Sequence, residues 1–154
     1  MGQSFHEHGP EAFQTMLEIP MHHIQETIAS YPHVKGSTND ARIRCLEECY
    51  SCAQTCASCA DSCLAEEMVP QLRQCSRLNL DCADMCLAAG SLAARRIDSS
   101  ERVIVTAIQA CALACRSCAE ECEKHASAHE HCRICAESCG RCEEACDAAA
   151  NSIH

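Results

Sequence analysis

The sequence predicts an all-α fold: an antiparallel up-down-up-down four-helix bundle with a short helical N-terminal extension. Cysteines recur at alternating intervals of three and four in four separate stretches, the spacing that keeps one residue type on one side of an α-helix. The stretches are similar in length and joined by short connections, which leaves antiparallel neighbours as the simplest topology. Of 154 residues, 18 are Cys, while there are two Phe, two Tyr and no Trp. Thiols must therefore fill volume that aromatic and aliphatic side chains ordinarily fill.

In chain order, residues 1–37 read as extension and linker and 38–154 as the bundle. The extension holds no Cys but three of the four aromatic rings, Phe5, Phe13 and Tyr31, so it packs by ordinary hydrophobic contact. Pro10 suits the first turn of a helix, Pro20 breaks it, and Met21 to Ser30 forms another short helix before the Tyr31-Pro32 stop. Ser37, Thr38 and Asn39 are good N-cap residues, placing the first long helix at 38–67. Its stripe is Cys45, Cys49, Cys52, Cys56, Cys59 and Cys63, and at 1.5 Å per residue it extends ~27 Å.

Pro70 marks the start of a second helix, 70–96, which ends on two cations, Arg95 and Arg96. It carries Cys75, Cys82 and Cys86, and the phase of that stripe calls for one more member where the sequence has Asn79. Asp98 with Glu101 reads as the capping box of a third helix, 99–125, bearing Cys111, Cys115, Cys118 and Cys122. Ser127 with Glu130 reads as the same device for a fourth, 128–151, bearing Cys132, Cys135, Cys139, Cys142 and Cys146. All four stripes take seam positions facing the bundle axis.

Following the seams past the cysteines distinguishes the two ends. Beyond Cys45, Cys86, Cys111 and Cys146 come Ala89, Ala93, Ile104, Ile108 and Ala149, a hydrocarbon plug. Beyond Cys63, Cys75, Cys122 and Cys132 come Met68, His125, His129 and His131, donors that suit a mouth.

A formal net charge of −10 offers no basic patch, which argues against nucleic acid or an anionic membrane surface as partner. The start, Met1 to His6, has no basic n-region leading into an apolar run, and no later stretch reads as the roughly 18 apolar residues of a membrane span. The expectation is a cytosolic protein, in a compartment that disfavours structural disulfides. Helix geometry agrees, because i and i+4 Cβ atoms stand about 5–6 Å apart whereas a disulfide needs about 3.5–4.5 Å.

A core chosen for packing alone would use Leu and Ile. Thiolates instead select Cu(I), Zn(II) or iron–sulfur clusters. Iron is the weakest candidate, since the ferredoxin spacing is absent and such clusters are usually clasped by loops. Zinc takes four thiolates per ion and leaves each buried site negatively charged, whereas one Cu(I) per thiolate is neutral, and neutrality favours Cu(I) in a dry core. Two metal–sulfur bonds of ~2.3 Å also let one ion span i and i+4 sulfurs on an intact helix, so the bundle can fold before it loads. A zinc or cadmium thiolate buffer, and a redox or structural bundle with thiols paired across helices, stay open. No nucleophile–base pair marks an enzyme.

The motifs CLEECYSCAQTCASCADSC, RLNLDCADMC, CRSCAEECEKH and HCRICAESCGRCEEAC, spanning roughly 43–147, resemble the bacterial copper storage proteins in their cytosolic branch. The resemblance implies a bundle that binds many Cu(I) ions along its interior, assembles as a homotetramer and protects the cell against copper. It also implies non-cysteine donors near the mouth, which carries over to His125 and, at the gap in the second stripe, to Asn79. Asn79 has a second reading as a hydrogen-bond partner of a thiolate, because amide oxygen matches Cu(I) poorly. His129 and His131 are either ligands or solvated first-turn residues, and His22, His23 and His33 fall off every stripe.

Overall fold

The computed structural model describes residues 23–32, 40–95 and 100–153. Five helices run through them: α1 (Ile24–Ala29), α2 (Asp40–Ala65), α3 (Val69–Ala93), α4 (Glu101–Glu123) and α5 (Glu130–Ser152). Helix α2 packs on α3 and α5, and α4 packs on the same two, while the diagonal pairs make no close backbone approach. The four long helices therefore form the wall of a tube, as the up-down-up-down topology requires. Helix α1 falls inside the short helix read at Met21 to Ser30 and lies on α2, its Ile28 buried with Ile43 and Leu46.

The helices are shorter at several ends than the sequence suggests, and the caps explain part of the difference. Ser37, Thr38, Asn39, Arg96 and Asp98 lie outside the described residues. Helix α3 has Met68 as N-cap and Pro70 in its first turn, where a missing N–H loses nothing. At its other end the cation is supplied by another helix: the Arg42 guanidinium of α2 donates to the carbonyl oxygens of Ala93 (2.7 Å) and Arg95. This satisfies terminal carbonyls that Arg95 and Arg96 were expected to serve.

Helix α4 begins at Glu101, after Ser100. The capping box of Ser127 and Glu130 does not form. Helix α5 starts at Glu130 with His129 as N-cap, and Glu130 binds Arg133 at 2.6 and 2.9 Å rather than reaching back. The connection winds instead through backbone bonds from Ala128 and His129 to the His125 carbonyl, at 3.1 and 3.0 Å.

By length and composition alone α4 could cross a membrane, which the sequence reading did not find. Its four cysteines raise its apolarity, and its buried side, Ile104 to Cys122, packs into the tube. The plug residues Ala89, Ala93, Ile104, Ile108 and Ala149 are all buried. Near them Gly90 lets α3 approach α2, because a Cβ there would meet the Tyr50 ring at 3.3 Å and Cys49 Cβ at 3.4 Å.

Candidate metal centre

All eighteen thiols face the inside of the tube, free of disulfides and none more than 2% exposed. Helical phase accounts for this: each stripe repeats at about one residue per turn, so every sulfur on a helix points the same way. Within a helix, Cys45–Cys49, Cys52–Cys56, Cys82–Cys86 and Cys135–Cys139 sulfurs lie 3.7 to 4.0 Å apart. Between helices the approaches are similar: Cys56–Cys139 at 3.5 Å, Cys45–Cys146, Cys75–Cys122 and Cys86–Cys111 at 3.6 Å. Sulfurs so spaced subtend about 100–120° at an ion bonded to both at ~2.3 Å, the range from tetrahedral to trigonal ligation.

The sulfurs group into tetrads in which all four lie within 4.8 Å of one another. Four of these overlap: Cys49/Cys111/Cys142/Cys146, Cys52/Cys86/Cys115/Cys142, Cys52/Cys56/Cys82/Cys139 and Cys56/Cys118/Cys135/Cys139. A fifth, Cys59/Cys63/Cys75/Cys132, sits toward the mouth. Cys52, Cys56, Cys139 and Cys142 each belong to two tetrads, so a metal filling the column must accept bridging thiolates.

Burial pushes the Cys63 thiol up to about 11 and Cys132 upward as well. At the far end the Cys45 thiol is pulled down to about 5, by hydrogen bonds with Cys146 and then Cys49.

Asn79 occupies the gap in the α3 stripe and is fully buried. Its Nδ2 donates to the Cys75 carbonyl at 2.9 Å and to the sulfurs of Cys75, Cys59 and Cys122 at 3.4, 3.5 and 3.6 Å. Its Oδ1 accepts from the thiols of Cys135 at 2.8 Å and Cys118 at 3.4 Å. The carboxamide is thus bonded on both sides by thiols, Cys75 of its own helix and four from the three others, with Cys122 also reaching the oxygen at 4.0 Å.

At the mouth the histidines divide. His131 Nδ1 lies 3.3 Å from Cys59 Sγ and 3.5 Å from Cys132 Sγ, and its Nε2 lies 3.1 Å from Glu66 Oε1. The same carboxylate oxygen holds His129 Nδ1 at 2.9 Å, and both imidazoles hold the Glu66 carboxyl below its ordinary range. His125 also lies at this end, but its Nε2 faces Glu121 Oε1 at 3.4 Å rather than a thiol. Met68, two residues after Glu66, is exposed, and His23 is exposed at the N-cap of α1. Glu66 escaped the sequence reading, although the antiparallel topology puts the α2–α3 and α4–α5 connections at one end. A carboxylate in one opposite histidines in the other was the available signal.

Such a chamber suits a soft monovalent ion: it offers many thiols, bridging geometry and an imidazole–carboxylate rim at one end. Residues 38–151 match the family model Csp, described as copper storage protein. No curated protein sequence matches the chain. Among solved structures, the copper storage protein Ccsp of Streptomyces lividans loaded with 10 copper equivalents is 43% identical, over 80% of this chain and 95% of that one, with a TM-score of 0.77. A structure of copper loading to a cytosolic copper storage protein of the same organism, with five coppers, is 44% identical over 75% and 96%, with a TM-score of 0.73.

Proposed function

The chain belongs to the copper storage protein family, and from that premise we propose that it stores Cu(I) in the cytoplasm as a homo-oligomer, a tetramer, and catalyses no reaction. The observation that carries the storage reading is the column of eighteen buried thiols in overlapping tetrads. The overlap also weighs against zinc. No more than three of these five tetrads can be filled without sharing a sulfur, one such set being Cys49/Cys111/Cys142/Cys146, Cys52/Cys56/Cys82/Cys139 and Cys59/Cys63/Cys75/Cys132. Zinc would fill these and leave each with excess negative charge, whereas Cu(I) accepts fewer thiolates, shares them, and neutralises the column at one ion per thiolate.

The cysteines are the ligands, and His131, His129, His125, Met68 and Glu66 receive copper at the mouth and pass it to Cys59, Cys63, Cys75 and Cys132. His131 supports this route by standing between the Glu66 carboxylate and two thiols. Cytoplasmic placement is supported by the cytosolic relative. Oligomerisation is supported by apolar side chains facing outward, among them Leu80 and Leu87, two turns apart on α3 and 52% and 48% exposed.

Anaerobic titration of the reduced protein tests the reading. Saturation near one Cu(I) per thiol supports it, and saturation near one ion per four thiols would replace it with a tetrahedral zinc-type buffer. Light scattering on the same sample tests the tetramer.

A further inference from the structure

His131 presents its two ring nitrogens to different chemistries. Nδ1 faces the column, 3.3 Å from Cys59 Sγ and 3.5 Å from Cys132 Sγ, while Nε2 faces Glu66 Oε1 at 3.1 Å. His129 Nδ1 meets the same oxygen at 2.9 Å, and the two rings lie tilted with centroids 5.5 Å apart. Two imidazole nitrogens and one carboxylate oxygen thus converge beside the thiols. The side chains of His129, His131 and Glu66 are 20%, 21% and 34% exposed, open enough for an ion to reach them from solution. The charge balance is also particular to this carboxylate. Glu121 pairs with Lys124, Glu143 with Arg116 and Glu130 with Arg133, each at 2.6 Å. Among the described residues Glu66 has no Lys or Arg partner, only the two imidazoles.

We propose that Glu66, His129 and His131 form a site for a divalent cation of the zinc class, seated on the rim of the copper column and closing it. Resting on the copper-storage reading, this gives the mouth a second ligand besides Cu(I). Around an ion bonded at about 2.0–2.2 Å, ligand atoms stand roughly 2.8–3.6 Å apart between octahedral and tetrahedral angles, and both nitrogen-to-oxygen distances fall in that range. Imidazole and carboxylate suit such an ion, whereas thiolates select Cu(I). Three protein ligands leave a further position to water. Ligation uses the lone pair of His131 Nε2, so the neutral ring carries its proton on Nδ1, where the Cys59 and Cys132 sulfurs accept it. An ion on Nε2 therefore denies Nδ1 to arriving or departing Cu(I). It also ties the residue that follows α2 to the N-cap and first turn of α5.

The test uses protein saturated with Cu(I) under anaerobic conditions, so that copper occupies the thiols, with Co(II) as a coloured substitute for Zn(II). The wild type should bind about one Co(II) per chain, with ligand-field bands and no sulfur-to-cobalt charge-transfer band. Glu66→Gln and His129→Ala should each lose the ion, and Glu121→Gln, at a carboxylate already paired with Lys124, should keep it. Zn(II) added to the loaded wild type should slow release of Cu(I) to an excess of Cu(I)-selective chelator and should have no effect on release from Glu66→Gln. Circular dichroism checks that each variant is folded. Absence of bound Co(II) overturns the site and leaves two hydrogen-bonded histidines. A charge-transfer band overturns it by placing the metal on thiols, as does retention of the ion by both Glu66→Gln and His129→Ala, or its equal loss from all three variants. Release that ignores Zn(II) overturns the closing role. Copper capacity, measured before Co(II) is added, judges storage by itself: low capacity removes storage, and full capacity without Co(II) binding removes this site alone.

Discussion

The two ends of the tube are built from the same four helices and differ in what continues the seams. At the hydrocarbon end Ile104, Ile108, Ala89, Ala93 and Ala149 close the column, and Ile28 of α1 packs with Ile43 and Leu46 nearby. At the other end the seams run out into connections bearing Glu66, Met68, His125, His129 and His131. One end is made to hold the bundle together, and the other is made to exchange an ion. A single helical scaffold can thus separate stability from access along its own axis.

The comparison breaks most readily at Ile108. Ile108→Ala should lower stability by about 2–5 kcal/mol, the usual cost of a large-to-small change at a buried site, read from urea unfolding without metal. The rate of copper loading should stay the same. Faster loading in this variant would mean that copper also passes the plugged end.

His131→Ala gives the converse. By analogy with losing a residue that supports a metal site, it should slow Cu(I) transfer from a chelator by on the order of tenfold, with capacity nearly intact and stability changed little. Stopped-flow transfer measures the rate. Removing His125, which faces Glu121 rather than a thiol in a part-buried pair, should slow that rate less than removing His131 does. Equal effects from the two histidines would show that the mouth rearranges on loading.

The gentlest test concerns protons. Cys63, pushed up to about 11, holds its proton at neutral pH, whereas Cys45, pulled down to about 5, is already a thiolate. Because a metal-bound thiol must be deprotonated, copper uptake at Cys63 releases a proton and weakens as pH falls, while uptake at Cys45 is insensitive above about pH 6. Cys63→Ser should therefore lower the protons released on full loading by about one, and Cys45→Ser should leave the count unchanged, as calorimetry in buffers of different ionisation enthalpy would show. A loss of one proton in both variants would place the two ends in the same protonation state.

The thiol column was legible because helical phase is a property of sequence spacing, and it holds for every Cys from Cys45 to Cys146. His125 shows where that logic stops. The α4 stripe reaches 125 only if the helix does, and α4 ends at Glu123, so the next side chain in phase turns to Glu121 instead. His131 lies inside α5, where helical geometry still applies, and it reaches Cys59. Caps were read least well, because they depend on competition between partners. Arg42, far away in sequence, reached the end of α3, and Glu130 preferred Arg133 to Ser127. Asn79 was visible as a gap in a stripe, but its bonds to Cys59, Cys118, Cys122 and Cys135 required three other helices to be in place.

The tetrads that share Cys52, Cys56, Cys139 and Cys142 bear on what a partly filled molecule is. With corners in common, a few ions can be distributed over the inner column in many nearly equivalent ways, and two molecules with the same load need not hold it in the same places. The intermediate state is a population of positional isomers, most numerous near half filling. That multiplicity assists early arrivals and opposes late ones, so the free ion level held by the protein climbs gradually with load instead of in steps.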